Sequence, residues 1–458
     1  MWVRSSQTSV CIRATSFTRE SLTLIFVPDI SDQRKDSTHI IQSALKAVDP
    51  ARAVAQNIKF DGANLKIVDT TVKLAGRTIY VVGLGKAATR MALGLEESIP
   101  KLISGGVISD STTSASLGAR WQTFAGGHPL PNDESLAAAK SAFTLLRKAD
   151  EEKAVVIFLV SGGGSAMMEF PTREEISVED LRRANQILVT CGATIREINS
   201  VRCRFSAVKC GQLAAHVQNA DMITLIVSDT NAGDEAAVAS GPTLKATSEP
   251  WKEVVEHYEL DQVLPDSILK ALHDEKITSP RQHPHYVILD NKTALFAAAQ
   301  RARDLGFEVN VADDVVEQEI DEGIELLFDR LKKTSARKCC IISGGEFRCP
   351  VRGAGTGGRN IETALRAALK MDRAPEKFSQ TVMISVGSDG IDGNSPAAGA
   401  VADMNTVRRA REQGLDSNDF LARSDSYHFF QKLGDLIETG PTGTNVRDLR
   451  ILLRNEDQ

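Results

Sequence analysis

The sequence predicts an α/β protein built in two halves. Three observations carry that prediction. Short apolar runs alternate with segments whose apolar residues recur at helical spacing, as in strands joined by helices in parallel sheets. Two of the runs end alike, residues 154–160 in Ser161-Gly162-Gly163-Gly164-Ser165 and residues 339–342 in Ser343-Gly344-Gly345. Acids and glycines gather just past the runs, where such sheets place their ligands.

The elements follow in order. Residues 36–58 read as the first helices: Ile40, Ile41, Leu45 and Val48 recur at helical spacing, and Asp49-Pro50 breaks the run. Residues 79–84 form a strand, and Gly85-Lys86-Ala87-Ala88 leads into a helix ending near 97. A weaker strand at 104–109 ends at Asp110, and a loop of small polar residues covers 111–118. The loop from Ala125 to Glu134 launches a helix, with Asn132 and Asp133 as N-cap candidates and Leu136, Ala139, Phe143 and Leu146 facing the sheet.

The run 154–160 lacks alternation, so both faces of that strand are expected to be buried. The glycines after it let the backbone turn sharply and leave its N–H groups bare, a natural anion site. Residues 179–215 read as largely helical, and 222–227 as a buried strand ending in Ser228-Asp229-Thr230. The stretch 244–285 is charged, weakly patterned and punctuated by Pro250, Pro265, Pro280 and Pro284, which places the domain boundary at 280. Beyond it come a strand at 286–289, a helix at 293–304, a strand at 307–311, a helix at 317–333 and a strand at 338–342. A hairpin arm at 346–352, a helix at 360–370, a strand at 381–387 and a final helix after the 440–445 loop complete the chain. The expected organisation is a leader over 1–35, disordered or a transit peptide, a first domain over 36–280 and a second over 281–458.

Composition narrows the function. At 458 residues, with 42% hydrophobic and 25% charged, the chain can bury two substantial cores. A net charge of −6, aromatics at 5% and no basic block argue against nucleic acid. No apolar run is long enough to span a membrane. Seven scattered cysteines fit no zinc or redox spacing, so reduced thiols and a reducing compartment are expected. The first 28 residues carry Arg4, Arg13 and Arg19 with many hydroxyls and one acid, Glu20, so a mitochondrial address stands beside a cytoplasmic one.

Four groups of residues can carry chemistry. Lys86 sits at a helix start, where a cation is misplaced unless it meets an anion or lies in solvent; the loop is no Walker A motif but does fit Gly83-x-Gly85-x-x-Ala88, with Asp110 as a ribose ligand. Asp229 and Asp234 follow a strand end and suit Mg²⁺ held by few carboxylates, or an Asx turn. Arg359 opens a helix after four glycines and is suited to a transferring phosphoryl group. Asn199, Arg202, Ser206 and Lys209 give one polar face at near-helical spacing. His128, Asp389 and the loop with Thr442 and Asn445 add polar groups. Asp392 is expected to satisfy turn amides. No His-Glu-x-x-His, Cys-x-x-Cys or Gly-x-Ser-x-Gly motif occurs.

Together these blocks resemble the class II glycerate kinases, the glycerate 2-kinase family with a C-terminal MOFRL domain. The similarity rests on Val82-Gly83-Leu84-Gly85-Lys86, Gly127-His128-Pro129-Leu130-Pro131, the Ser161–Ser165 loop, Glu197-Ile198-Asn199, Ser240-Gly241-Pro242-Thr243, Gly357-Gly358-Arg359-Asn360, Ser388-Asp389-Gly390-Ile391-Asp392-Gly393 and Gly440-Pro441-Thr442-Gly443-Thr444-Asn445, in that order, over residues 38–453. The resemblance implies a Rossmann-like first domain, a smaller α/β second domain and a site between them. It also implies phosphorylation of D-glycerate by ATP with Mg²⁺, to 2- or 3-phosphoglycerate, in serine, glycerate and fructose catabolism, by a monomer or homodimer. By matching position, Lys86, Asp229 and Arg359 are catalytic. Gly85, His128, Ser161, Gly162, Gly163, Gly164, Ser165, Asn199, Arg202, Lys209, Asp389, Thr442 and Asn445 bind substrate or nucleotide, and Asp229 with Asp234 holds the metal. Gln212 stands where an arginine is expected. The alternative is an NAD(P)-dependent hydroxypyruvate reductase resting on Gly83-x-Gly85-x-x-Ala88; a non-catalytic binder of sugar acids or phosphates is a third class.

Overall fold

The computed structural model describes residues 32–111, 117–245, 250–274 and 278–456. Most of the expected leader, with its alternative of a transit peptide, lies outside these residues. Its last four residues lie in the first helix, Asp32–Ala47. Arg34 is buried against Asp403 and Asp435 of the C-terminal half.

Two six-stranded sheets form the two halves. Before them lies a small antiparallel sheet, β1 (Ile58–Phe60), β2 (Asn64–Ile67) and β3 (Thr70–Lys73), which the sequence reading did not anticipate. The first large sheet contains β4 (Ile79–Leu84), β5 (Ile103–Asp110), β6 (Trp121–Ala125), β7 (Val155–Ser161), β8 (Asp221–Val227) and β9 (His285–Leu289). Its order is β6-β5-β4-β7-β8-β9, and all its pairs are parallel. That is the doubly wound order in which the strand sequence reverses between β4 and β7, and ligands gather outside the carboxyl ends of those two strands. All residues of β4 and β7 are buried because helices cover both faces. A fully buried Val, Ile, Leu or Phe side chain there contributes about 1.5–3 kcal/mol.

The second large sheet contains β10 (Glu308–Val311), β11 (Lys338–Gly345), β12 (Thr381–Gly387), β13 (Gly399–Asp403), β14 (Leu436–Ile437) and β15 (Asp448–Asn455). Its order is β10-β11-β15-β12-β13-β14; only β10 and β11 are parallel. The expectation of parallel sheets throughout therefore fails here. The expected final helix is instead β15, paired with β11 on one side and β12 on the other. Its run Leu449-Arg450-Ile451-Leu452-Leu453 is too short for spacing to separate strand from helix, and burial between two strands decides the matter. The expected hairpin arm at 346–352 contains no strand, only a bridge from Arg348 to Glu319.

The sheets do not divide at residue 280. β9 lies beyond that position and still extends the first sheet, and helix Asp32–Ala47 lies on the second, against helix Asn291–Asp304. One apolar cluster runs from Ile41 and Val48 through Val81 and Ile157 to Ala298, Ile342 and Ile451, so both halves share a core. A third group of helices, Val178–Thr190, Ile195–Phe205, Trp251–His257 and Asp266–Leu272, packs around Leu181, Val201 and Ile268. Capping boxes start several helices: Asn132 with Ser135, Ser177 with Asp180, and Thr194 with Glu197.

Candidate active site

The turns after β4 and β7 meet at the reversal point. Lys86 donates its backbone N–H to Gly162 O at 2.9 Å, and Ala87 donates to Ser161 Oγ at 3.0 Å. Gly85 donates to Ser109 O, and its φ of +111° is one that only glycine adopts easily. The amides of this first turn are thus taken by protein acceptors. Those of Gly163, Gly164 and Ser165, in the turn after β7, meet no acceptor among the described residues. The open amides expected at the longest glycine loop are therefore there, and those at Gly85 are taken by the protein.

Side chains converge over that loop. A methyl group on Gly162 would overlap Asp229 Oδ2, and one on Gly163 would lie 3.2 Å from His128 and 3.3 Å from Lys86. The glycines therefore make room for Asp229, His128 and Lys86. Asn445, from the second half, reaches the same place, with Nδ2 3.1 Å from a methyl on Gly162. Lys86 Nζ pairs across the halves with Asp389 Oδ2 at 2.8 Å. Burial raises the Asp229 carboxyl to about 6 against the opposing pull of Lys86 and Arg447. The His128 ring is lowered by burial and by the Lys86 charge, so it is neutral at neutral pH.

A second cluster lies beyond Ser165. Ser165 Oγ is 2.6 Å from Ser240 Oγ, which donates to Asn199 Oδ1 at 2.8 Å. Arg202, in the last turn of helix Ile195–Phe205, is only 8% exposed, and its Nε has no partner among the described residues. Desolvation lowers this guanidinium to about 10. A buried cation with an unmet donor is an anion receptor in waiting.

Several expected site residues have other work. Lys209 is fully buried, paired with Glu169 and donating to Ser165 O at 2.7 Å; it braces the loop instead of lining the cleft. The helical face joining Asn199 to Lys209 breaks because the helix ends at Phe205. Asp234 pairs with Arg196 at 3.0 Å, turned away from any shared ion with Asp229. Thr442 donates its hydroxyl to Ser388 O at 2.6 Å and shapes the loop. Asp392 receives the amides of Asn360 and Ile361 at 3.0 and 2.8 Å, as expected, and burial raises it to about 7. Gln212, in the place of an arginine, donates to Cys203 O at 3.0 Å and to Ser206 O. Cys203 and Cys210 are joined as a disulfide, contrary to the expectation of reduced thiols, because the turn after Phe205 brings their Cα atoms to 5.7 Å.

Arg359 does face anions, but protein ones: Asp448 at 2.6 Å and Glu346 at 3.0 Å. Glu346 in turn feels Arg447 and Asp229, so Arg359 belongs to one charge network with the Lys86 cluster. Arg447 escaped the sequence reading because its segment was read as a helix start. It is 6% exposed, with a φ of +71°, and it donates to Asn231 Oδ1 at 2.7 Å and to Glu317. The charged pair Arg447-Asp448 just ahead of an apolar run was the available signal.

This geometry has relatives. Family models match residues 36–273, a domain of unknown function, DUF4147, and residues 339–448, the MOFRL family. A Pyrococcus horikoshii protein named glycerate 2-kinase is 32% identical, over 92% of this chain and 97% of its own length. The chain belongs to the glycerate kinase family. A D-glycerate 2-kinase of Thermotoga maritima is 31% identical over 92% of this chain and 99% of its own. The solved structure of a glycerate kinase from that organism matches with a TM-score of 0.78 at 30% identity, over 92% of this chain and 99% of that one. Glycerate kinase relatives also include an Agrobacterium vitis protein named putative hydroxypyruvate reductase, 33% identical over 90% of this chain and 93% of its own. Among the described residues no helix is long and apolar enough to cross a membrane, and no three His, Cys, Asp or Glu side chains cluster as a metal cage.

Proposed function

We propose that this chain phosphorylates D-glycerate with ATP. The observation that carries the reading is the cleft in which Lys86 and Asp229, with Asp389 of the second half paired to Lys86, lie against the loop whose Gly163–Ser165 amides are open. Phosphoryl transfer needs positioning and neutralised charge more than covalent chemistry, and this site offers those. Arg202 binds the glycerate carboxylate. The open amides, with Lys86, hold the transferring phosphoryl group. Asp229 accepts the proton of the attacking hydroxyl; a carboxyl near 6 is ionised at neutral pH and basic enough to help. Arg447 and Arg359 offset the carboxylates of Glu317, Asp448 and Glu346 on the far wall.

The donor set fits Mg²⁺ at Asp389, beside Asp229, since that ion takes one or two carboxylates with substrate phosphates and water. Mg²⁺ would neutralise charge on the donor phosphates. Asp234, paired with Arg196, is a further carboxylate of the same loop.

The names of the archaeal and Thermotoga relatives favour the 2-hydroxyl as the acceptor. The reductase reading loses its footing in this geometry. The amides of the Gly83-x-Gly85 turn are occupied, and Asp110, 6% exposed, receives Thr89 N–H at 3.1 Å. The test is an ATP-coupled assay with D-glycerate, with phosphorus NMR of the product and a parallel NADH assay with hydroxypyruvate. Turnover that Lys86→Ala leaves unchanged, or NADH oxidation without ATP consumption, overturns the reading.

A further inference from the structure

A cavity of about 290 Å³ opens between the halves on the far side of the Asp229 loop. Its walls come from the ends of β8 and β9, the start of helix Asn291–Asp304 and the end of β11. Ser228 and Thr230 line it, while the residue between them, Asp229, turns to Gly162. A molecule filling the cavity therefore ends one residue from the candidate base. Arg447 stands in the wall between the two spaces: it lines the cavity, its charge acts on Asp229, and its buried Nε has no acceptor.

The lining selects the occupant. Val287, Leu295 and Val316 give the lining an apolar part, and Val287, on the edge strand β9, is 37% exposed. The lining also carries charge of both signs, with Glu235, Asp290 and Asp313 beside Lys292 and Arg447. Asp313 makes no hydrogen bond among the described residues, and Asp290 uses only Oδ1, in capping Thr293. Those carboxylates accept hydroxyl and amino donors, and Lys292 and Arg447 offer cations to phosphates. A neutral, flat group rich in hydroxyl and amino donors, followed by anionic phosphates that meet Arg447 and Lys292, suits this mixed lining. The size lies at the low end of small-molecule sites, about 300 Å³ and upward.

We infer that this cavity receives the nucleoside of the phosphoryl donor, with Arg447 steering the phosphates around the Asp229 loop toward Lys86. The inference rests on the kinase reading above and adds to it where the nucleotide sits. Asn291 keeps the cavity formed without a ligand, tying its helix to Val446 O at 2.7 Å and Asp448 O at 3.0 Å.

The test compares wild type with Val287→Trp, which fills the cavity from its exposed wall, and Asp313→Ala, which removes an unpartnered acceptor. Calorimetry with ADP reads binding without turnover, and steady-state assays read KM for ATP and for D-glycerate separately. Val287→Trp is expected to weaken ADP roughly tenfold or more, about 1.4 kcal/mol, with the KM for D-glycerate unmoved. Asp313→Ala is expected to weaken ADP severalfold. In wild type, saturating ADP is expected to slow amide exchange at residues 287–295 and 313–316, a readout that does not depend on either variant folding. Wild-type ADP affinity in both variants, or ADP protection confined to residues 85–90 and 161–168, overturns the cavity assignment while leaving the kinase reading intact. A wild-type chain that binds no ADP and turns over no D-glycerate overturns both.

Discussion

Replacing Asp229 with asparagine preserves the side chain's shape and removes its charge. The carboxyl rises from an ordinary 3.8 to about 6 in the folded protein, chiefly through burial. A shift of that size corresponds to about 3 kcal/mol, and the partial exposure of the side chain in an open cleft cuts it to about 1–2 kcal/mol. The sign follows from linkage. Between pH 4 and 6 the folded protein binds the proton that the unfolded chain releases, so wild type is most stable below about pH 4 and loses this stability as pH rises through about 6. The replacement amide has no proton to exchange in this range. The Asp229→Asn protein is therefore expected to match wild type near pH 4 and to exceed it by about 1–2 kcal/mol above pH 6, while activity falls about 10²–10⁴-fold. Urea melts of both proteins from pH 4 to 8, in chelator, with the coupled assay alongside, measure this. A variant less stable at pH 7, or a stability difference independent of pH, would show that the carboxyl is not a desolvated base.

Other consequences can be read the same way. Lys86→Met removes a cation that holds Asp229 down, so the acid limb of the kcat/KM profile is expected to move upward in pH as turnover falls. Arg202→Lys is expected to raise the KM for D-glycerate at least tenfold with a smaller change in kcat, since a lysine cannot form the two-pronged pair with a carboxylate. Gly162→Ala places a methyl group on Asp229 Oδ2, so activity should vanish with the melting temperature little changed. Arg359→Ala strands the buried Asp448, and a urea melt is expected to lose about 2–4 kcal/mol.

Much of this site could be read in the sequence, for definite reasons. The unbroken apolar run before Ser161 required a strand buried on both faces, and the glycines after it promised a sharp turn with bare amides; that Asp229, Lys86 and His128 crowd the same glycines was not legible. Capping residues such as Asn132 marked a helix start by local chemistry alone. What stayed hidden depended on distant partners. The segment Leu449–Leu453 reads equally as helix or strand until β11 and β12 flank it, and Arg447 was lost with that misreading. Lys209 looked like a ligand because its counterion, Glu169, lies forty positions away. Arg359 showed that it needed an anion but not that Asp448 and Glu346 would supply it.

The backbone travels between the two halves at Val48-Asp49 and returns at Asp290, where the first sheet's last strand gives way to a helix of the other half. A protein joined by one tether can swing and twist freely. Two crossings tie the halves at two points, and Val48 and Leu289 beside them belong to the apolar cluster that both halves share, so the Lys86–Asp389 pair spans a seam braced from within. No single cut near residue 280 would release an intact half, because one fragment would lose an edge strand and the other its covering helix.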